Sequence, residues 1–221
     1  MSKSLERKKR NLFIILSGIF LTNALLAEMI GTKIFSFEGT IGMAPAHLNI
    51  MGFIMDFNLT AGVLIWPIVF VTTDLINEYF GKPGVKKISF LTAGFIAYSF
   101  LVIYLAMGLA PADWWIEANN IDADGNTFNI NYAFDKIFGQ GLRIIIGSLV
   151  AFLIGQLVDV FVFQKLRRLT GSKMIWLRAT GSTLISQFID SFVVLYIAFS
   201  GIFSNSQIMA IGITNYIYKF I

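Results

Sequence analysis

Residues 141–163 read "GLRIIIGSLVAFLIGQLVDVFVF". The run is apolar over the ~17–25 residues that a helix needs to cross a bilayer, yet it holds Gln156 and Asp159 in its interior. Residues 185–190, "ISQFID", repeat the pair as Gln187 and Asp190 inside a second apolar run. In a helix, side chains three apart share a face. Each pair therefore forms one polar patch on a helix otherwise suited to lipid.

The rest of the chain agrees with a membrane reading. Of 221 residues, 56% are hydrophobic and 14% charged, with 22 Phe, and the mean hydropathy is +0.73; soluble domains carry about 25% charged residues. Apolar runs fall at about 11–34, 60–80, 86–109, 141–163, 179–203 and 208–221. The expected architecture is an all-α integral membrane protein, a six-helix transmembrane bundle forming one domain over 1–221. The sixth run reaches Ile221 short of a full crossing, so a truncated last helix is expected. Basic flanks mark the cytoplasmic side. Arg7, Lys8, Lys9 and Arg10 precede the first run, Lys82, Lys86 and Lys87 follow the second, and Lys165, Arg167, Arg168, Lys173 and Arg178 follow the fourth. The opposite loops are acidic or uncharged, with Asp113, Glu117, Asp122, Asp124 and Asp135 between the third and fourth runs. The N-terminus is therefore expected in the cytoplasm. A cleaved signal peptide also begins basic and then apolar, but it would discard Asn23, Glu28 and Lys33.

Several chemistries have no residues to carry them. The chain has no cysteine and one histidine, His47, in an outer loop where solvation is the plain reading. No H-E-x-x-H or G-x-S-x-G occurs, and paired aspartates lack the Gly-flanked setting of an acid-protease dyad, so the chain is not expected to be an enzyme. "DADGNTFN" (122–129) has oxygen ligands at alternate positions like the opening of a calcium loop, but its Gly is out of place and it reads as a polar turn. No cofactor and no metal is called for.

Ionisable groups within spans are costly and mark functional candidates. They are Glu28, Lys33, Asp74, Glu78, Asp159, Asp190 and Lys219, accompanied by Asn23, Asn77, Gln156, Gln187 and Asn215. Carboxylates outnumber lysines, which suits cations or ligands rich in N–H donors. An aspartate accepts paired N–H groups such as the donor edge of a guanine-like ring, a glutamine amide donates to a carbonyl, and aromatic rings can sandwich the base. The competing reading is interhelical glue at about 0.6 kcal/mol per hydrogen bond. It suits Ser182, Thr183 and Ser186 better than the repeated Gln/Asp pairs.

"WPIVFVTTDLINEYFGKPGVKK" (66–87) resembles the second-helix signature of the queuosine precursor transporter family, also labelled vitamin uptake transporters. "TNALLAEMIGTKIF", "IGQLVDVFVFQKLRR", "GSTLISQFIDSFVVLYIAF" and "NYIYKF" resemble its other motifs in order, so the resemblance covers nearly the whole chain except the outer loops. It implies a multi-pass inner-membrane importer of 7-deazaguanine precursors of tRNA queuosine: 7-cyano-7-deazaguanine, 7-aminomethyl-7-deazaguanine or queuine. The substrate-binding residues it implies are Asp74, Glu78, Gln156, Asp159, Gln187, Asp190, Asn23, Asn77 and Lys219. The partners implied are a small deazapurine and the lipid bilayer, with no nucleic acid; a homo-oligomer stays open. The alternative is a substrate-binding subunit of an ATPase-energised vitamin importer, for which the small-residue spacing of "AGFIA" (93–97) could serve as a docking stripe.

Overall fold

The computed structural model describes residues 3–139, 142–171 and 173–218. In chain order, α1 (Lys3–Ile30) leads into β1 (Ile34–Ser36), α2 (Phe37–Thr40), β2 (Leu48–Ile50), β3 (Phe53–Met55) and β4 (Asn58–Thr60). A 3-10 turn, Ala61–Leu64, precedes α3 (Trp66–Met107), followed by α4 (Asp113–Ala118), α5 (Ile130–Phe138), α6 (Leu142–Thr170), α7 (Ile175–Phe199) and α8 (Asn205–Tyr218). Among the described residues, four helices are long and apolar enough to cross a bilayer: Ser4–Ile30, Trp66–Met107, Ile144–Thr170 and Ile175–Phe199.

That number differs from the six expected, and α3 and α8 explain why. The runs 60–80 and 86–109 merge into α3, a 42-residue helix broken at Gly81 (φ 65°, ψ −170°). Only glycine enters that backbone region readily, and Pro83 two residues on removes an amide donor. A methyl on Gly84 would lie 2.5 Å from Phe80 Cβ and 3.5 Å from Ile76 Cγ2. Eight residues of straight helix would separate Ile76 and Gly84 by about 12 Å, so the chain bends sharply here. The eighth helix has 14 described residues, fewer than the ~17 of the shortest crossing.

Contacts fix the relative directions. Phe13 packs on Phe80 with centroids 4.9 Å apart, while at the other end Gly62 abuts the Ala27 carbonyl. Helix α1 is thus antiparallel to the first arm of α3. Helix α6 runs parallel to that arm and is tied to it at successive levels. Thr73 Oγ1 donates to Gln156 Oε1 (3.2 Å), Gln164 Nε2 to Asn77 Oδ1 (2.6 Å), and Arg167 pairs with Glu78 (3.5 Å). Helix α7 returns against α6, close enough that a methyl on Gly147 would meet the Val194 carbonyl at 3.3 Å and one on Gly155 would meet Asp190 Cβ at 3.6 Å. Small residues permit such approach between membrane helices. Helix α8 packs on α7, where Tyr216 OH donates to the Leu184 carbonyl (3.2 Å). Leu16, Phe20, Ala24, Ile76, Ile88, Ile96, Phe152 and Val160 fill the apolar core.

The 34–60 segment, read as a loop, carries two antiparallel ribbons, β1 with β4 and β2 with β3. Three-residue strands give too few alternations to be seen in sequence. The Glu38 side chain organises this cap. It accepts from the amides of Phe57 (2.8 Å) and Ala46 (3.3 Å), and these bonds hold its carboxyl below the usual range. His47 Nδ1, expected to be merely solvated, lies 3.0 Å from Asp56 Oδ1. The 122–129 stretch forms a turn in which Asp122 accepts from the amides of Asp124 and Asn126, lowering its carboxyl in the same way.

A further correction concerns Arg178. Counted with the basic loop, it instead lies in the first turn of α7 and is fully buried (0% exposed).

Candidate functional site

A cavity of about 600 Å³ lies among α1, α3, α6, α7 and α8. That is within the ~300–1,000 Å³ usual for small-ligand sites. One wall is aromatic: Trp66 stacks on Phe70 at 5.8 Å and 19° and approaches Phe152 at 6.2 Å. Placing Trp66 at the start of α3 and Phe70 one turn later puts both rings on one face.

Polar side chains share the lining. Gln156 and Gln187 are among them, and they are only 4% and 6% exposed. Gln156 accepts from Thr73 through Oε1, leaving its amide NH2 with no partner among the described residues. Gln187 makes no side-chain hydrogen bond to any described residue. Their remaining polar capacity is open to the cavity, where a polar ligand can meet it. Asp74 and Asp190 also line the cavity, as do Glu28, Ser148, Thr183, Ser186 and Asn215. No lysine or arginine is among the described lining residues. The lining is therefore rich in acceptors and also offers amide donors.

The remaining expected residues lie elsewhere. Asp159 is 4% exposed and sits behind the wall, between the hydroxyls of Ser182 and Ser186, with Ser186 Oγ at 3.4 Å. Asn23 turns back on its own helix and donates to the Ile19 carbonyl (2.8 Å). Asn77 is fully buried and accepts from Gln164. Glu78 joins Arg178 (3.0 Å) and Arg167 (3.5 Å) in an ion-pair cluster at the basic end of the bundle. None of these four lines the cavity, because facing the interior does not decide which neighbour a side chain meets. Lys219 lies outside the described residues.

Residues the sequence did not single out are Trp66, Phe70 and Ser148; Thr183 and Ser186 were read as interhelical glue, and Glu28 and Asn215 stood among the intramembrane candidates without a place in the substrate-binding set. Ser148 Oγ lies 2.6 Å from both Glu28 carboxylate oxygens. Only a contact across 120 residues of sequence identifies that pair.

Residues 60–221 match the family described as "Putative vitamin uptake transporter". The chain is 31% identical over 185 residues to the "Probable queuosine precursor transporter" of Bacillus subtilis, covering 81% of this chain and 75% of that protein. It is 30% identical over 169 residues to the "Queuosine precursor transporter" of Escherichia coli (75% and 68%). Against the "Probable queuosine precursor transporter" of Haemophilus influenzae it is 28% identical over 167 residues (74% and 63%). No solved structure matches the chain. These relatives are named as transporters, in accord with the reading that the chain is not an enzyme. The apolar helices, the cavity with carboxylates and carboxamides in its lining and these matches lead to one conclusion: the chain is a multi-pass membrane protein of the vitamin uptake transporter family.

Proposed function

We propose that the protein carries a queuosine precursor across the inner membrane, binding the 7-deazaguanine ring in the cavity between α3, α6 and α7. The observation that carries this reading is the pair of buried carboxamides, Gln156 and Gln187, facing the cavity with unused hydrogen-bonding capacity. A planar base with adjacent N–H donors and a carbonyl matches them. Its donor edge meets Asp190 or Asp74, its carbonyl meets a glutamine NH2, and its face lies on Trp66 and Phe70. Asp159 acts from behind through Ser186, which holds the shape of the wall. The bend at Gly81 divides α3 into two crossings, and α8 begins a sixth. The basic N-terminal flank and the arginines near Glu78 support a cytoplasmic N-terminus.

The test is uptake of labelled precursor by purified protein in liposomes containing no ATPase. Accumulation is expected, whereas an obligate importer subunit would give none. Gln187→Leu and Asp190→Asn, at matched insertion, should each lower kcat/KM about tenfold or more, the worth of a buried hydrogen bond to a polar or charged group. Unchanged uptake in both variants would remove the cavity as the base site. Asp159→Asn tests the wall and should cost less than Asp190→Asn.

A further inference from the structure

Three buried polar atoms without partners fall along one line between the cavity and the basic end of the bundle. Among the described residues, Asp74 Oδ1, Asn77 Nδ2 and Arg178 Nε are shielded from solvent and meet no hydrogen-bond partner. Asp74 lines the cavity. Asn77 follows on the same face of α3, about 4.5 Å further along the axis, and is fully buried. Its Oδ1 accepts from Gln164 (2.6 Å), so its NH2 is the spare group. Glu78 comes next and accepts from Arg178 Nη2 (3.0 Å).

From this line we infer that Asp74 is a proton-binding site and that the carrier moves one proton with each base, passing it from Asp74 toward the basic end of the bundle. The inference rests on the transport reading above and deepens it by naming the driving ion.

Three observations carry it. First, the buried Oδ1 of Asp74 has no donor, and no lysine or arginine is among the described lining residues of the cavity. A bound proton removes the charge and turns the carboxyl into a donor, and intramembrane carboxylates are the groups that relay protons in pumps and carriers. Second, the charged groups that face Asp74 share its sign. Asp159 of α6 lies within electrostatic range, and Asp190 of α7 and Glu28 of α1 line the same cavity. From α8, Tyr216 is engaged with the Leu184 carbonyl, and Glu78, one turn on along α3, is paired with Arg167 and Arg178. Third, a proton held at Asp74 has a way onward. Ordered water is the partner that buried donors such as Asn77 Nδ2 and Arg178 Nε take, and water joining them links Asp74 to Glu78, whose side chain reaches solvent at 26% exposure.

The experiment uses the full chain in liposomes without ATPase, with 7-cyano-7-deazaguanine as the probe because its nitrile takes no proton near neutral pH. With the membrane potential clamped and the outer medium about one pH unit more acid, one proton per base should concentrate the base about tenfold inside. Equal concentrations at the end point overturn the inference and leave the transport reading standing, since the base has crossed; no entry at all overturns the transport reading itself. The end-point ratio does not depend on how much protein inserts. Asp74→Asn should bring it to about one and Asp74→Glu should restore it, whereas tenfold accumulation in Asp74→Asn overturns the assignment to Asp74. Infrared difference spectra between acid and alkaline buffer give a second reading that needs no transport by the variant. The unaltered protein should show a carboxylic-acid C=O band that Asp74→Asn lacks, and an unchanged spectrum in Asp74→Asn overturns the assignment as well.

Discussion

Replacing Glu78 by Gln should destabilise the protein more than replacing its partner Arg178 by Met, and the double replacement should cost less than Glu78→Gln alone. The reason is the asymmetry of the pair. Arg178 is fully buried. It donates to Glu78 Oε2 (3.0 Å) and to the carbonyls of Gly171 (2.7 Å) and Lys173 (3.4 Å), over the Phe163 ring at 5.5 Å. The Glu78 side chain is 26% exposed and keeps Arg167 as a second partner. Glu78→Gln therefore strands a buried cation. Stranding of this kind costs ~3–5 kcal/mol, and the two surviving carbonyl bonds place this case at about 3. Arg178→Met leaves a carboxylate that still reaches Arg167 and water, so its cost is mainly two carbonyls without donors, about 1–2 kcal/mol. With the cation gone, Glu78→Gln adds little, and the cycle should show a coupling of about 2–3 kcal/mol. Thermal unfolding of detergent-purified protein, followed by the fluorescence of its four tryptophans, reads these differences. By the scaling of soluble domains of this size, Glu78→Gln should lower Tm by about 6–12 °C. Additive single effects, or a Glu78→Gln variant as stable as the unaltered protein, would refute the reasoning.

Two further outcomes follow from the backbone and the outer cap. Gly81→Ala should destabilise by about 1–3 kcal/mol, since φ 65°, ψ −170° is strained for any residue with a Cβ; Tm measures it, and a neutral result would mean that the bend relaxes freely. Glu38 has a lowered carboxyl, so its contribution is present in full above its ordinary value and lost as pH falls through the lowered one. Glu38→Gln at neutral pH should reproduce that acid loosening, seen as faster amide exchange across residues 37–57, and protection equal to the unaltered protein would count against it.

Hydrophobic length and period were enough to reveal the long helices, and the i,i+3 rule placed Gln156 and Gln187 on inward faces. Those same rules were silent on pairings. Asp159 and Gln156 share a face, yet one sits behind Ser186 and the other opens onto the cavity, a difference set by the rotation of α6 against α7. Arg178 looked like a loop cation because charge was read from sequence position, whereas the end of a helix can carry it into the interior. The bend at Gly81 left a signal, Gly-x-Pro-Gly, but its sharpness depends on the contacts of Gly84 with Phe80 and Ile76. Glu28 was one intramembrane carboxylate among several until Ser148 appeared beside it.

The links between α3 and α6 have a consequence for assembly. Lipid tails are as apolar as leucine, so greasy helix surfaces give a nascent chain little means of telling one neighbour from another. Thr73 with Gln156, Asn77 with Gln164, and Glu78 with Arg167 join partners 83 to 89 residues apart. They recur in the same order along both helices, and each would be left unsatisfied by a slip in register. They act as an address, specifying which helix docks where, and so they hold in place the gap that becomes the cavity.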